Sequence, residues 1–217
     1  MKGVLKSIVL CSLVLCSVPA WAGIWTEIGD AGNNLPDAQI VYGSGPLTQI
    51  IGHLSAPGDT SGWVDVWAIY VQDTIAFTAV TSGGVPDPEL FIFDAQGHGL
   101  EGNRDISASN KQAYLLGGSG SPGIYYLWIS TQDREPGANG VAMFPATGGV
   151  GQMIYSGVSE TLTGPIGNVS SVHTGGSNYE YTITLTGTSF VPVPEPGTAS
   201  LLLAGFAVLA ARKLKRR

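Results

Sequence analysis

The stretch Tyr179-Glu180-Tyr181-Thr182-Ile183-Thr184-Leu185-Thr186 alternates without error. Tyr179, Tyr181, Ile183 and Leu185 form one set, and Glu180, Thr182, Thr184 and Thr186 the other. Successive side chains of a strand point to opposite faces, so a period of two with one apolar set predicts a half-buried antiparallel strand. Working outward, Ile124 to Ser130 (IYYLWIS) is the most β-prone segment of the chain, rich in aromatic and β-branched residues. From Trp63 to Val71 both alternating sets are apolar, apart from Asp65, which predicts a central strand covered on both faces. Leu47 to Leu54, Thr74 to Val80 and Leu90 to Phe93 add further short strands, separated by turns such as Gly43-Ser44-Gly45-Pro46 and Asp94-Ala95-Gln96-Gly97. Thirty-one glycines and the lack of any amphipathic helical period complete an all-β pattern, that of an antiparallel β-sandwich. Between Thr131 and Asn178 the chain is rich in Gly, Ser and Thr, and long loops are expected there, with short strands only at Val141 to Phe144 and Met153 to Tyr155.

Both ends differ from this body. Lys2 and Lys6 precede an apolar run from Ile8 to Val18, and Ala20-Trp21-Ala22 offers a small-residue cleavage site before Gly23. That order predicts a signal peptide over residues 1–22, removed after Ala22 and helical until then. Both cysteines, Cys11 and Cys16, lie inside it, so the mature chain holds no disulfide, thiolate metal site or cysteine nucleophile. At the other end Pro194-Glu195-Pro196 precedes an apolar run from Ala199 to Ala211 and then Arg212, Lys213, Lys215, Arg216 and Arg217. Such a run makes a helix of roughly 20 Å at ~1.5 Å per residue, short of the ~30 Å hydrocarbon core. Snorkelling basic side chains extend its reach to a marginal transmembrane helix. The basic cluster stays cytoplasmic, which leaves everything before it outside.

In this order of tripeptide, apolar helix and basic terminus, the tail resembles the PEP-CTERM sorting signal, with Pro194, Glu195 and Pro196 as its motif. The resemblance implies recognition by an exosortase, a membrane-embedded cysteine peptidase. It also implies an inner-membrane-anchored precursor and delivery to the cell surface or extracellular, exopolysaccharide matrix. Expected boundaries are therefore 1–22 for the signal peptide, 23–190 for the ectodomain and 191–217 for the tail.

A second resemblance rests on Ile51-Gly52-His53-Leu54, Asp65-Val66-Trp67-Ala68-Ile69, Asp87 to Gly97, and Pro122 to Ile129. Over about residues 39–130 these look like the bacterial pre-peptidase C-terminal domain, which implies a jelly-roll-like sandwich. Some relatives in that family bind calcium, collagen or polysaccharide. The family often has Asn-Asp-Asp where this chain has Asn103-Arg104-Asp105, which sets an arginine where a cation would sit.

Charge narrows the partners. Between residues 23 and 192 only Arg104, Lys111 and Arg134 are basic against fifteen acids, a net charge near −12. Phosphate recognition needs a basic surface, so nucleic acid is not an expected partner. Sequence signatures of catalysis are missing as well: no G-x-S-x-G, H-E-x-x-H, P-loop or C-x-x-C occurs, and His53, His98 and His173 are scattered. The expectation is a non-enzymatic protein. Glu101, Asn103, Asp105 and Ser107 place oxygens at every second residue, a spacing that can wrap Ca²⁺, although the glycine needed at the bend is absent. Asp94, Asn103 and Asp105 are the candidate donors. No other cofactor is expected, and a Ca²⁺-dependent carbohydrate- or matrix-binding module is the alternative function. Asp87 and Glu89 read as solvating, edge-protecting charges. Asp65, on a covered strand, needs a hydrogen-bond partner. Trp25 and Trp63 are the aromatic candidates for sugar stacking.

Overall fold

The computed structural model describes residues 23–54, 63–132, 134–144, 154–156, 162–166 and 178–193. Ala20, Ala22, the Pro194-Glu195-Pro196 motif and both expected flanking helices lie outside them. In chain order the strands are β1 (Gly23–Thr26), β2 (Gln39–Ile40), β3 (Tyr42–Gly43), β4 (Leu47–Leu54), β5 (Val64–Val71) and β6 (Thr78–Gly83). Then come β7 (Pro88–Phe93), β8 (Gly99–Asn103), β9 (Tyr114–Leu116), β10 (Gly123–Thr131), β11 (Glu135–Ala138) and β12 (Val141–Ala142). The last are β13 (Ile154–Ser156), β14 (Gly164–Ile166), β15 (Tyr179–Thr186), β16 (Thr188–Ser189) and β17 (Val191–Pro192). Among the described residues the one helical element is a single 3-10 turn, Leu35–Asp37, capped by the Asn34 side chain. No described helix is long and apolar enough to cross a membrane.

Two sheets carry the architecture. A five-stranded sheet runs β1-β4-β15-β6-β9, and a larger one runs β13-β8-β7-β10-β5-β16, with β2 on the same edge of β5 as β16. The alternation that opened the reading places β15 where it predicts: Tyr181, Ile183 and Leu185 are buried, and β15 pairs antiparallel with both β4 and β6. β5 is buried almost throughout, between β10 on one side and β2 and β16 on the other. Its two apolar sets enter two separate cores. Trp67, Ile69 and Val71 join Leu127, Ile129, Leu90, Ile92, Ile50, Ile183 and Leu185 in the main cluster. Val64 and Val66 join Phe91, Phe93 and Trp128 in a second cluster, roofed by Ala138, Met143, Phe144 and Leu162. A covered second face is why the strands of the larger sheet read as continuous apolar runs while β15 alternates.

The roof falls in the segment where long loops are expected. It contains β11, β12 and β14, which form a small sheet, while β13 adds to β8 at the edge of the larger one. Strands of two to four residues carry too little periodicity to be read from sequence. The final strand, β17, pairs with β3, so the pleated body runs to Pro192.

An ion-pair network ties the roof to the sheet beneath. Glu89 is 0 % exposed. Its carboxylate lies 2.5 Å from Arg104 Nε, and Arg104 Nη2 donates to Glu135 of β11 at 2.8 Å. Outside the roof, Lys111 pairs with Asp105 at 3.0 Å and Asp87 at 3.8 Å. This corrects the reading of Glu89 as an exposed, edge-protecting charge: β7 is an interior strand, between β8 and β10, and Glu89 shares the Phe91 and Phe93 face. Trp63 is likewise corrected, since it is buried in the main core against Tyr179 and offers no stacking surface.

Removing one partner of a buried ion pair strands the other charge, which costs about 3–5 kcal/mol. Urea unfolding of Arg104→Met is expected to show a loss of that size, and the double variant Glu89→Leu/Arg104→Met to recover most of it. A loss in Arg104→Met no larger than that of an exposed pair, about 0–1 kcal/mol, would mean that water or another side chain takes over from Arg104 at Glu89.

Candidate functional site

Asp65 is the acid that the sequence leaves unexplained, and the site is built around it. On β5 it shares the inter-sheet face with Trp67 and Ile69, and it is 1 % exposed. Its partner comes from the other sheet. The Tyr181 hydroxyl on β15 donates to Asp65 Oδ2 and accepts from Trp67 Nε1 at 3.0 Å. This geometry needs a glycine beside it. A Cβ on Gly52 of β4 would lie 2.4 Å from the Tyr181 hydroxyl oxygen and 3.1 Å from Glu27 Oε2. Asp65 Oδ1 is buried with no hydrogen-bond partner among the described residues.

Two further carboxylates converge there from the segment that follows β1. Glu27, Asp30 and Asp65 each place a carboxylate oxygen within 4.8 Å of the other two. Glu27 leaves β1 at its end and turns inward, with its side chain 3 % exposed. Its Oε1 accepts from the Ala31 N–H at 3.1 Å and its Oε2 from the His53 N–H at 2.7 Å. The His53 ring lies 3.5 Å from the same oxygen. Asp30 is exposed and closes the cluster on the solvent side.

Three carboxylates held this close repel one another, and Arg104 and Lys111 are engaged elsewhere. Burial, and then the charge of Glu27, push the Asp65 carboxyl well above its ordinary value, against the Tyr181 hydrogen bond that lowers it. Burial also raises Glu27, with Asp30 adding to the shift and the His53 and Ala31 amides opposing it. Burial and then Asp65 push the Tyr181 hydroxyl well up, so it remains a donor. Hard oxygens, convergent negative charge and one buried oxygen without a partner suit a hard divalent cation. Ca²⁺ takes six to eight oxygens at flexible angles, so water can complete the shell on the Asp30 side.

The donors expected from sequence lie elsewhere and are not brought together. Asp94 ends β7, where its Oδ1 accepts from the Gln96 and His98 amides, each at 2.9 Å, and its Oδ2 contacts His98 Nδ1 at 2.9 Å. Asn103 and Asp105 lie at the opposite end of the β7–β8 hairpin, roughly 13 Å away at ~3.3 Å per residue. Asn103 Oδ1 accepts from the Tyr114 N–H at 2.9 Å, and Asp105 pairs with Lys111. Arg104, between them, neutralises Glu89. Trp25, the other stacking candidate, donates to Gln39 Oε1 at 3.0 Å and packs edge-on against Phe190. Sequence reasoning missed Glu27 and Asp30. The one available signal was Asp65 itself, an acid on a strand covered on both faces.

The comparisons with known proteins bear on the tail. Residues 192–217 match the model of the PEP-CTERM protein-sorting motif. The chain thus carries an exosortase-type sorting signal, that of an exported protein processed at the membrane. No curated protein and no solved structure matches the chain.

The pH dependence follows from the two raised carboxyls. The folded chain keeps protons on Asp65 and Glu27 at pH values where the unfolded chain has lost them. Their contribution to stability is full below the ordinary carboxylate range and is lost as pH rises through the raised folded values. Asp65→Asn preserves an acceptor for Tyr181 and removes the strongest of these effects. In cation-free buffer its unfolding midpoint is expected to vary less with pH than that of the wild type, and parallel curves would show that folding does not shift the Asp65 carboxyl.

Proposed function

We propose that this chain is an exported, non-catalytic β-sandwich protein delivered by its C-terminal tail to the cell surface or exopolysaccharide matrix, with Ca²⁺ bound at Glu27, Asp30 and Asp65. The observation that carries the reading is the sorting motif over 192–217. In this account residues 1–22 are the signal peptide, the jelly-roll-like body runs from 23 to 192 rather than stopping at 190, and the tail follows it, its apolar helix holding the precursor in the inner membrane until exosortase acts. A non-catalytic role is supported by the sequence, which lacks the hydrolase and metallopeptidase motifs. It is also supported by the histidines at the described positions. His53 lies against Glu27 and His98 against Asp94, and neither forms part of a nucleophile–base pair among the described residues.

The carboxylate cluster favours the cation-dependent form of this reading. A cation there joins Glu27 and Asp30, beyond β1 on the edge of the five-stranded sheet, to Asp65 on β5, an interior strand of the larger one. Bound Ca²⁺ therefore fastens the N-terminal segment to the sandwich outside the cell, where the ion is plentiful. A matrix-binding module would use the same ion to fix the loops around it.

Two measurements test this. At a free Ca²⁺ concentration about 100 times Kd, a single site adds about 2.7 kcal/mol, which for a body of this size raises Tm by about 5–10 °C. Glu27→Gln and Asp65→Asn should each lose most of that rise, and a Ca²⁺-independent Tm in the wild type would remove the metal from the account. For sorting, intact-mass spectrometry of the chain from its native host is expected to show the tail shortened, while Glu195→Ala retains Arg217. A wild-type chain that still ends at Arg217 would contradict processing.

A further inference from the structure

A second concavity, separate from the carboxylate cluster, opens at the flank where β9 of one sheet faces β8 of the other. Its volume is about 290 Å³. That is near the lower limit of small-ligand sites, roughly 300 Å³. Val71, Phe77 and Ile92 of the main core form its floor, and Leu100, Leu116 and Tyr125 its walls. The loop 117–120 forms the rim, and it is fixed in place. Thr74 Oγ1 donates to the Gly120 carbonyl at 3.1 Å, and the Tyr125 hydroxyl donates to the Ser121 carbonyl at 2.7 Å. Gly117 packs so closely that a Cβ there would meet the Thr74 carbonyl at 2.1 Å. A rim this constrained is already shaped before anything binds, which lowers the ordering cost of binding.

One charge faces this apolar cup. Glu101 lines it, and no basic residue does. Its Oε1 accepts from the Leu116 N–H at 3.1 Å, which aims the carboxylate across the gap between the sheets. Burial pushes this carboxyl above its ordinary value, with the Leu116 amide pulling the other way. Leu100 and Leu116 leave large apolar areas exposed at the mouth, and Ile75 beside the rim is 84 % exposed. A half-desolvated negative charge at the edge of an apolar recess is complemented by a cation carried on an apolar stem. The acidic body, near −12 over residues 23–192, attracts such a ligand and repels an acidic polymer.

We propose that this pocket binds a primary ammonium group, its carbon skeleton against Leu100, Leu116 and Phe77 and its nitrogen on Glu101. Two sources present that chemistry, a lysine side chain of a partner protein and an amine-bearing small molecule such as an amino sugar. The site shares no residue with the Ca²⁺ cluster, so it stands or falls independently of it.

The test is titration of the full-length chain in detergent micelles with Nα-acetyl-lysine methylamide, glucosamine and hexanol, read by calorimetry and by ¹H–¹⁵N shifts of Gly117, Gly118 and Gly120. Run with and without Ca²⁺, it separates failure here from failure of the metal reading. At least one amine is expected to bind with Kd on the order of 1 mM, to shift those three amides, and to exceed hexanol. Saturation by the lysine amide alone assigns a protein partner, and saturation by glucosamine alone an amino sugar. Glu101→Gln keeps an acceptor for the Leu116 N–H, preserving the fold, and should weaken the amine about tenfold. Gly118 has open space around its missing side chain, so Gly118→Leu should obstruct the mouth and weaken binding with Glu101 intact. Equal binding of hexanol, undiminished binding in Glu101→Gln or in Gly118→Leu, or no saturable shift with either amine would overturn the proposal.

Discussion

Tyr181 holds the two sheets in register through one hydroxyl, which accepts a hydrogen bond from Trp67 and donates one to Asp65, both on β5 of the facing sheet. Each of the three side chains is buried, so Trp67 Nε1, the Tyr181 hydroxyl and Asp65 Oδ2 depend on one another for partners. The neighbouring strand must leave room for the hydroxyl, and Gly52 does so. Glu27 then packs along the same glycine and accepts the amides of Ala31 and His53. In this way one inter-sheet hydrogen bond sets the position of β15 against β5, the path of the chain after β1, and the place where three carboxylates meet.

The body handles its few positive charges in a consistent way. Arg104 and Lys111 are used inside or along the fold, against Glu89 and Glu135 in one case and Asp105 and Asp87 in the other. A buried Glu–Arg pair is weak support for stability by itself, because desolvation offsets much of the attraction. Its geometric effect is clear: through Glu135 of β11 it ties the small β11-β12-β14 sheet over Phe91, Phe93 and Trp128 of the larger one. With those bases engaged, neither the Glu27 cluster nor the lone Glu101 has an arginine or lysine of the body to pair with. These are the two places where we propose an external cation, a hard metal ion at one and an ammonium at the other.

Much of the fold was legible in the residues. β5 and β15 follow directly from their periods, because burial on one face or two is written in which alternate positions are apolar. The demand of Asp65 for a partner was legible too, since an acid in such a strand has no water to turn to. The carboxylate cluster was not. Glu27 and Asp30 lie more than thirty positions before Asp65, and the parallel pairing of β1 with β4 brings them together without any local signature. Asp94, Asn103 and Asp105, by contrast, are close in sequence but separated by the length of a hairpin. Sequence proximity is a poor guide where strands carry their two ends apart.

What the sequence determined by itself was the all-β class of the fold and the sorting tail, because each is carried by a local pattern: a period of two, and an ordered motif at one end. Tertiary structure alone decided which charges are buried, which carboxylates converge, and where the core opens to solvent. Those properties depend on strand order and register, and a chain's pairing partners across two sheets are fixed by the packing of the whole core, not by any stretch of it.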